Sequence, residues 1–244
     1  MGYREAVYKD YLSQHVHFTY NNYNQKFLDN FLPIYRAYFK RLLPKDKNAK
    51  IVDLGCGCGS FLYFLNKEGY LNTLGVDCSQ EQVDLAHKLG IKSVICENLV
   101  DTVKKHNQEF DVIVAIDVLE HFKRDELFIL VKSMRDALKP GGILIIRSPN
   151  ADGPFFGRYR YIDFTHEIVF TKLSITELLV RSGFHDVKVY PVNPVIHGLF
   201  SFVRYLIWQA FRYILILYLT AETGHFKGHI FTLNLIAVGK RPKT

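Results

Sequence analysis

The chain has 244 residues, 48% of them hydrophobic and 23% charged, which suits one domain with a sizeable core and excludes a disordered chain. Its net charge of +7 is scattered, with the longest basic runs at 45–50 and 240–243, so direct nucleic-acid binding is not expected. Four cysteines are too few for a disulfide scaffold, and no C-x-x-C spacing offers a zinc site.

In chain order, residues 1–14 are polar and aromatic without the apolar run of a signal peptide, so a cytoplasmic chain is expected. Residues 24–43 space Leu28, Phe31, Leu32, Tyr35, Phe39 and Leu42 at helical intervals, and Pro33 predicts a kink or break there. A strand–helix alternation follows. Strands are predicted at 50–54, 72–76, 93–96, 111–116 and 143–147, with helices at 59–68, 80–89, 98–106 and 125–138. This rhythm predicts an α/β fold: a Rossmann-like, mostly parallel sheet with helices on both faces. The turn Pro140-Gly141-Gly142 separates the last of these helices from its strand. A short helix near 172–182, a strand at 185–190, an apolar stretch at 198–220 and an alternating strand at 230–238 complete the chain. The expected organisation is a single domain: an N-terminal helical lid at 1–47, a core at 48–190, and an apolar helix with a final strand at 191–244.

Ile51-Val52-Asp53-Leu54-Gly55-Cys56-Gly57-Cys58-Gly59 runs from a buried strand into a glycine-rich turn and a helix. Glycines let the backbone bend sharply and approach a ligand closely, and a helix N-terminus favours anionic groups. Ser60 stands where a dinucleotide fingerprint wants the last glycine, and Asp53 precedes the turn, where it can orient a positively charged ligand. Asp77, followed by Cys78, closes the next strand, where a carboxylate can accept both ribose hydroxyls of an adenosine.

DLGCGCG, GVD, FDVIVAIDVLEHF and LKPGGILIIRSPN, in that order and spacing over about residues 50–150, resemble the motifs of class I S-adenosylmethionine (SAM)-dependent methyltransferases. The resemblance implies a seven-stranded sheet with an antiparallel last strand, here 230–238. It also implies that Gly55, Gly57 and Gly59, with Cys56 as a small loop residue, wrap the methionine part of SAM. Asp77 would hold ribose, with Cys78 beside it. Glu97 would lie near adenine, standing where many relatives have Asp.

The SAM methyl is already electrophilic, so the protein must chiefly align the acceptor, whereas a hydroxyl acceptor must also lose its proton. Asp117, Glu120 and His121 follow the fourth strand; on a helical start they share a face. There they either bind a hard divalent ion such as Mg²⁺ or Mn²⁺, or leave His121 as base while Asp117 touches SAM. The grouping resembles the E-x-x-E-H motif of ubiquinone-pathway O-methyltransferases and of small-RNA 3′-end 2′-O-methyltransferases, with Asp117 in place of the first Glu. The RNA enzymes add a later histidine, a part His166 could take, so the metal set would be Asp117, Glu120, His121 and His166. The stretch 158–167 (RYRYIDFTHE) with FTKLSITELLVRSGF resembles a bacterial subgroup associated with surface polysaccharide or other glycan modification. Its arginines could hold a phosphate or carboxylate, its tyrosines could stack on a sugar, and Asp163 with His166 could serve catalysis.

The apolar stretch 198–220 is long enough to span a bilayer, but Arg204 and Arg212 interrupt it. Core packing, a homodimer interface and peripheral contact with the inner face of a membrane are all open to it. The expected activity is O-methylation of a hydroxyl on a sugar, glycan or lipid-linked intermediate. A polyprenyl-phenol acceptor of quinone synthesis, an RNA 3′ end and a non-catalytic SAM-fold binding protein are the alternatives.

Overall fold

A computed structural model of the chain describes Val7, Ser13 and residues 23–243. Most of the expected lid segment before residue 23 lies outside the described residues. The helical pattern over 24–43 breaks into α1 (Gln25–Asp29) and α2 (Leu32–Phe39). Pro33 sits in the first turn of α2, where its missing N–H has no intrahelical partner to lose.

From there the expected alternation holds: β1 (Ile51–Leu54), α3 (Ser60–Lys67), β2 (Thr73–Asp77), α4 (Gln80–Lys88), β3 (Val94–Cys96), α5 (Leu99–Lys105) and β4 (Phe110–Ile116). A 3₁₀ turn at Leu119–His121 precedes α6 (Arg124–Ala137), β5 (Leu138–Pro149), α7 (Phe156–Arg160), α8 (Lys172–Arg181), β6 (His185–Pro191), α9 (Leu199–Thr223) and β7 (Asn234–Lys240). The strands form a seven-stranded sheet in the order β3-β2-β1-β4-β5-β7-β6. Strands β1 to β5 run parallel, and β7 runs antiparallel to β5 and β6. The winding reverses between β1 and β4, so the loops after these strands meet at the carboxyl edge where such sheets bind ligands.

Both faces of the sheet are covered. Leu127, Leu130, Val131 and Met134 recur at helical spacing on α6 and pack with Leu99, Val103, Ile175 and Leu179 on one face. On the other, Tyr35 and Phe39 of α2 meet Phe61, Phe64 and Leu65 of α3.

Two boundaries depart from expectation. Strand β5 begins directly at Leu138, but its register jumps from Phe110↔Leu138 to Val112↔Ile143, so 139–142 bulge out opposite Asp111. Gly141 takes a φ of +78°, and a Cβ on Gly142 would stand 2.8 Å from the Lys139 carbonyl. The last strand starts at Asn234 rather than 230. The Asn150 amide donates to the Ile230 and Thr232 carbonyls at 2.7 and 2.8 Å, which holds 230–233 as a loop.

Candidate active site

The glycine turn closes a cleft of about 200 Å³ at the carboxyl edge of β1 and β4. Gly55, Cys56, Gly57 and Cys58 line one wall, and Tyr23, Phe27, Phe31 and Tyr35 of the N-terminal helical region line another. Gly55 and Gly59 have φ of +71° and +81°. A Cβ on Gly55 would drive to 2.4 Å from Val118, and one on Gly59 to 2.9 Å from Ile91, so both positions require glycine. Tyr35 hydrogen-bonds Ser60 at 2.9 Å across the two walls, and burial pushes its phenol up to about 12.

Asp53 lies at the floor, 2% exposed, and its Oδ1 is buried without a hydrogen-bond partner. Burial raises its pKa well above the ordinary carboxylate range, Asp77 adds to the rise, and Arg147 opposes it. A buried carboxylate oxygen with nothing to accept from suits a cationic ligand group, such as the amino group of SAM. Asp77, Cys78 and Glu97 gather at the adjoining ends of β2 and β3, outside the residues that line the cleft. The Asp77 carboxylate accepts the Gly57 amide at 2.8 Å and the Ser79 amide at 2.9 Å, so it shapes the glycine turn. Glu97 accepts the Thr102 hydroxyl at 2.6 Å and pairs with Lys105, which holds its carboxyl below its usual range. These two contacts tie its side chain to α5. The Cys56 thiol donates to the Gly57 carbonyl at 3.6 Å, and burial raises its pKa strongly; all four cysteines are free.

Asp117 departs from the expected metal set. Its φ is +56°, so it does not share a helical face with Glu120 and His121. Arg147 grips its carboxylate through both arms, with Nε at 3.0 Å from Oδ1. Burial opposes the charge of Arg147, and Asp117 more than restores it. Asp117 lines the cleft with Arg147 instead. Arg147 belongs to no motif, and its one signal in the sequence is that it is an arginine inside the apolar run of β5.

Glu120, His121 and His166 do come together, with one potential ligand atom from each within 4.8 Å of the others. The Glu120 carbonyl accepts the Glu167 and Ile168 amides at 2.7 and 3.1 Å, which docks the 163–168 loop onto the 3₁₀ turn. The two imidazoles consequently stand with ring centroids 4.8 Å apart. Glu120 is fully buried; its Oε2 accepts the Ser148 hydroxyl at 3.0 Å, and its Oε1 has no partner. Burial, with Asp117 adding to it, raises the Glu120 pKa well above its usual range.

Hydrogen bonds also assign the imidazole tautomers. Thr165 donates its only hydroxyl proton to Asp163 Oδ1 at 2.7 Å, so at 2.7 Å from Thr165 Oγ1 the His121 Nδ1 must be the donor. His166 Nδ1 donates to the Tyr159 carbonyl at 2.9 Å. Each ring then carries its lone pair on Nε2, as metal-ligating histidines do when a second residue fixes the tautomer. Burial and the neighbouring His166 push His121 down to about 4. Asp163 accepts both the amide and the hydroxyl of Thr165, a buried residue the sequence pattern does not single out, and its charge also favours the protonated form of His121. Arg160 donates to the His166 carbonyl and, at 2.9 Å, to the Glu167 carbonyl. It therefore braces the loop, whereas the sequence had offered it to a substrate anion.

Residues 25–189 match the family model described as a methyltransferase domain. The chain is 31% identical over 134 residues to "Probable tRNA methyltransferase 9B" of Mus musculus, across 54% of this chain and 29% of that protein. It is 29% identical to the ubiquinone biosynthesis O-methyltransferase of Coxiella burnetii (strain Dugway 5J108-111), across 57% of this chain and 56% of the relative. The matches thus span less than a third of the mouse protein and little more than half of the bacterial one. A SAM-dependent methyltransferase from Archaeoglobus fulgidus superposes with a TM-score of 0.63 at 20% identity, covering 88% of this chain and 99% of that one, a likeness of fold.

Proposed function

Because the chain belongs to the SAM-dependent methyltransferase family, we propose that it transfers the methyl group of SAM to a hydroxyl oxygen of a sugar, glycan or lipid-linked acceptor. The observation that carries the hydroxyl is the Glu120–His121–His166 group beside the cofactor cleft. In the reaction the sulfonium S–CH₃ bond breaks as an O–CH₃ bond forms. The sulfur leaves as the neutral thioether, and the hydroxyl proton must be taken up. Asp53 supplies the buried anion that positions the amino group of SAM, and Phe27, Phe31 and Tyr35 exclude water from that side of the cleft.

Removal of the proton separates two routes. A general base works best with a pKa near the working pH, and His121 at about 4 is poorly matched to that task. As a neutral imidazole it is well matched to ligation. Glu120 Oε1 and the Nε2 atoms of His121 and His166 would hold Mg²⁺ or Mn²⁺, and the bound ion lowers the pKa of a coordinated hydroxyl. The buried Glu120 oxygen without a partner fits such an ion. The similarity to a ubiquinone biosynthesis O-methyltransferase keeps a polyprenyl-phenol hydroxyl as the second acceptor class.

Labelled SAM offered with a panel of glycans, lipid-linked sugars and polyprenyl phenols tests the acceptor. Transfer confined to amines or thiols would overturn the hydroxyl reading. EDTA should abolish transfer and Mn²⁺ restore it, while Mn²⁺ binding followed by paramagnetic resonance should disappear in Glu120→Gln. Activity indifferent to EDTA, with no Mn²⁺ bound, would return the proton to a histidine.

A further inference from the structure

Helix α9 is 25 residues long, and by length and composition it is apolar enough to cross a membrane. Only Ser201 and Ile216 in it are buried. Its orientation inverts the usual surface helix, which turns apolar residues inward. Ser201, Tyr205, Trp208, Arg212 and Ile216 recur every three or four residues and face the protein, buried or half-buried. The outward side carries Phe200, Leu206, Phe211, Ile214, Leu217 and Tyr218, with Phe200 92% and Leu217 70% exposed. Ile196 before the helix and Phe226 after it are exposed too.

Behind the helix, Tyr205, Trp208 and Arg212 line a pocket of about 540 Å³ that runs to Lys172 and His229. No carboxylate lines it among the described residues. The Trp208 indole N–H is buried there without a hydrogen-bond partner. The pocket therefore presents two fixed cations and an unused donor, chemistry that suits a phosphate.

We propose that α9 lies flat on an anionic lipid bilayer, its outward apolar face sunk among the acyl chains and a lipid phosphate seated against Arg212, Lys172 and Trp208. Charge selects this occupant over a second copy of the chain. Each copy carries +7 and would repel its twin, whereas an anionic surface attracts it. Chain geometry opposes a spanning arrangement. The helix is about 37 Å long, yet the Gly228 carbonyl, five residues beyond Thr223, accepts from Lys172 of the core at 3.4 Å. Five residues reach at most about 17 Å, so the far end of α9 stays beside the body.

Docking would also orient the enzyme. Strand β6 is parallel to β5, so α9 leaves the sheet from the edge that carries the active site. There Tyr38 of α2 donates to the Asn193 carbonyl just before the helix. The acceptor entrance would then face the lipid headgroups. This inference stands apart from the hydroxyl reading, because vesicle binding and methyl transfer are measured separately.

The test is co-sedimentation of the full chain with phosphatidylcholine vesicles, with and without phosphatidylglycerol. Binding to anionic vesicles should be at least about tenfold tighter, weaken with salt and be released by alkaline wash. Phe211→Glu with Leu217→Glu should lose this binding while SAM affinity by calorimetry stays unchanged, which also shows that the variant folds. Arg212→Gln should reduce the preference for anionic over neutral vesicles. Equal affinity for both vesicles, or binding that survives alkaline wash, would overturn the proposal. So would a vesicle-indifferent dimer that the Phe211/Leu217 variant dissociates, and an unchanged preference in Arg212→Gln would remove the headgroup site.

Discussion

Asp53 and Glu120 form a natural pair. Both are buried carboxylates at the carboxyl edge, both keep one oxygen without a hydrogen-bond partner, and burial raises the pKa of both. Their surroundings differ. Asp53 sits in a contiguous strand and turn, walled by glycines and aromatic rings. Glu120 is assembled from remote pieces: Ser148 of β5 on one oxygen, and the 163–168 loop with His166 on its backbone. An unpaired buried carboxylate is costly in isolation, so each position makes sense as a receptor for a cation. The neighbours decide which one. Beside a glycine turn the carboxylate suits an organic ammonium; beside two imidazoles it suits a divalent metal.

The comparison predicts separable losses. His121→Ala and His166→Ala should each lower turnover at least about a hundredfold with SAM affinity unchanged, whether the pair holds a metal or one ring takes the proton, measured by steady-state kinetics and calorimetry on the same preparations. Equal loss of SAM binding would erase the distinction between the two regions. Asp53→Asn should do the reverse, weakening SAM by about 2 kcal/mol, roughly thirtyfold.

Asp53→Asn should also stabilise the ligand-free protein at neutral pH. The folded-state pKa of Asp53 lies above the ordinary value of about 3.9. Its contribution thus favours folding below that value and is lost as the pH rises through the folded one. The melting temperatures of wild type and Asp53→Asn should accordingly converge at acidic pH and separate toward pH 7, the variant being higher. A variant that melts lower at pH 7 would show that Asp53 is already paired. The smallest effect belongs to Asp77→Ala, about 1 kcal/mol of SAM affinity, roughly fivefold, by calorimetry. A much larger loss would mean that its hold on the Gly57 and Ser79 amides, more than a ribose contact, governs the turn.

What the sequence alone determined is local and contiguous. The alternation of apolar strands and amphipathic helices, the break near Pro33 and the left-handed glycines of the turn at 55–59 are written in residues near one another in the chain. Periodicity and backbone conformational limits act at that range. The tertiary structure decided what depends on distant partners. Arg147, thirty residues on, holds Asp117 apart from the expected metal ligands. The Glu120 carbonyl drew in the 163–168 loop, placed His166 beside His121 and used Thr165 to set a tautomer. Asn150 cut the last strand short at Asn234. Helix α9 had a readable apolar stripe, but its direction did not follow from the pattern. A stripe fixes which residues share a face, and only the sheet edge and the tethers at 228–232 determine which way that face turns.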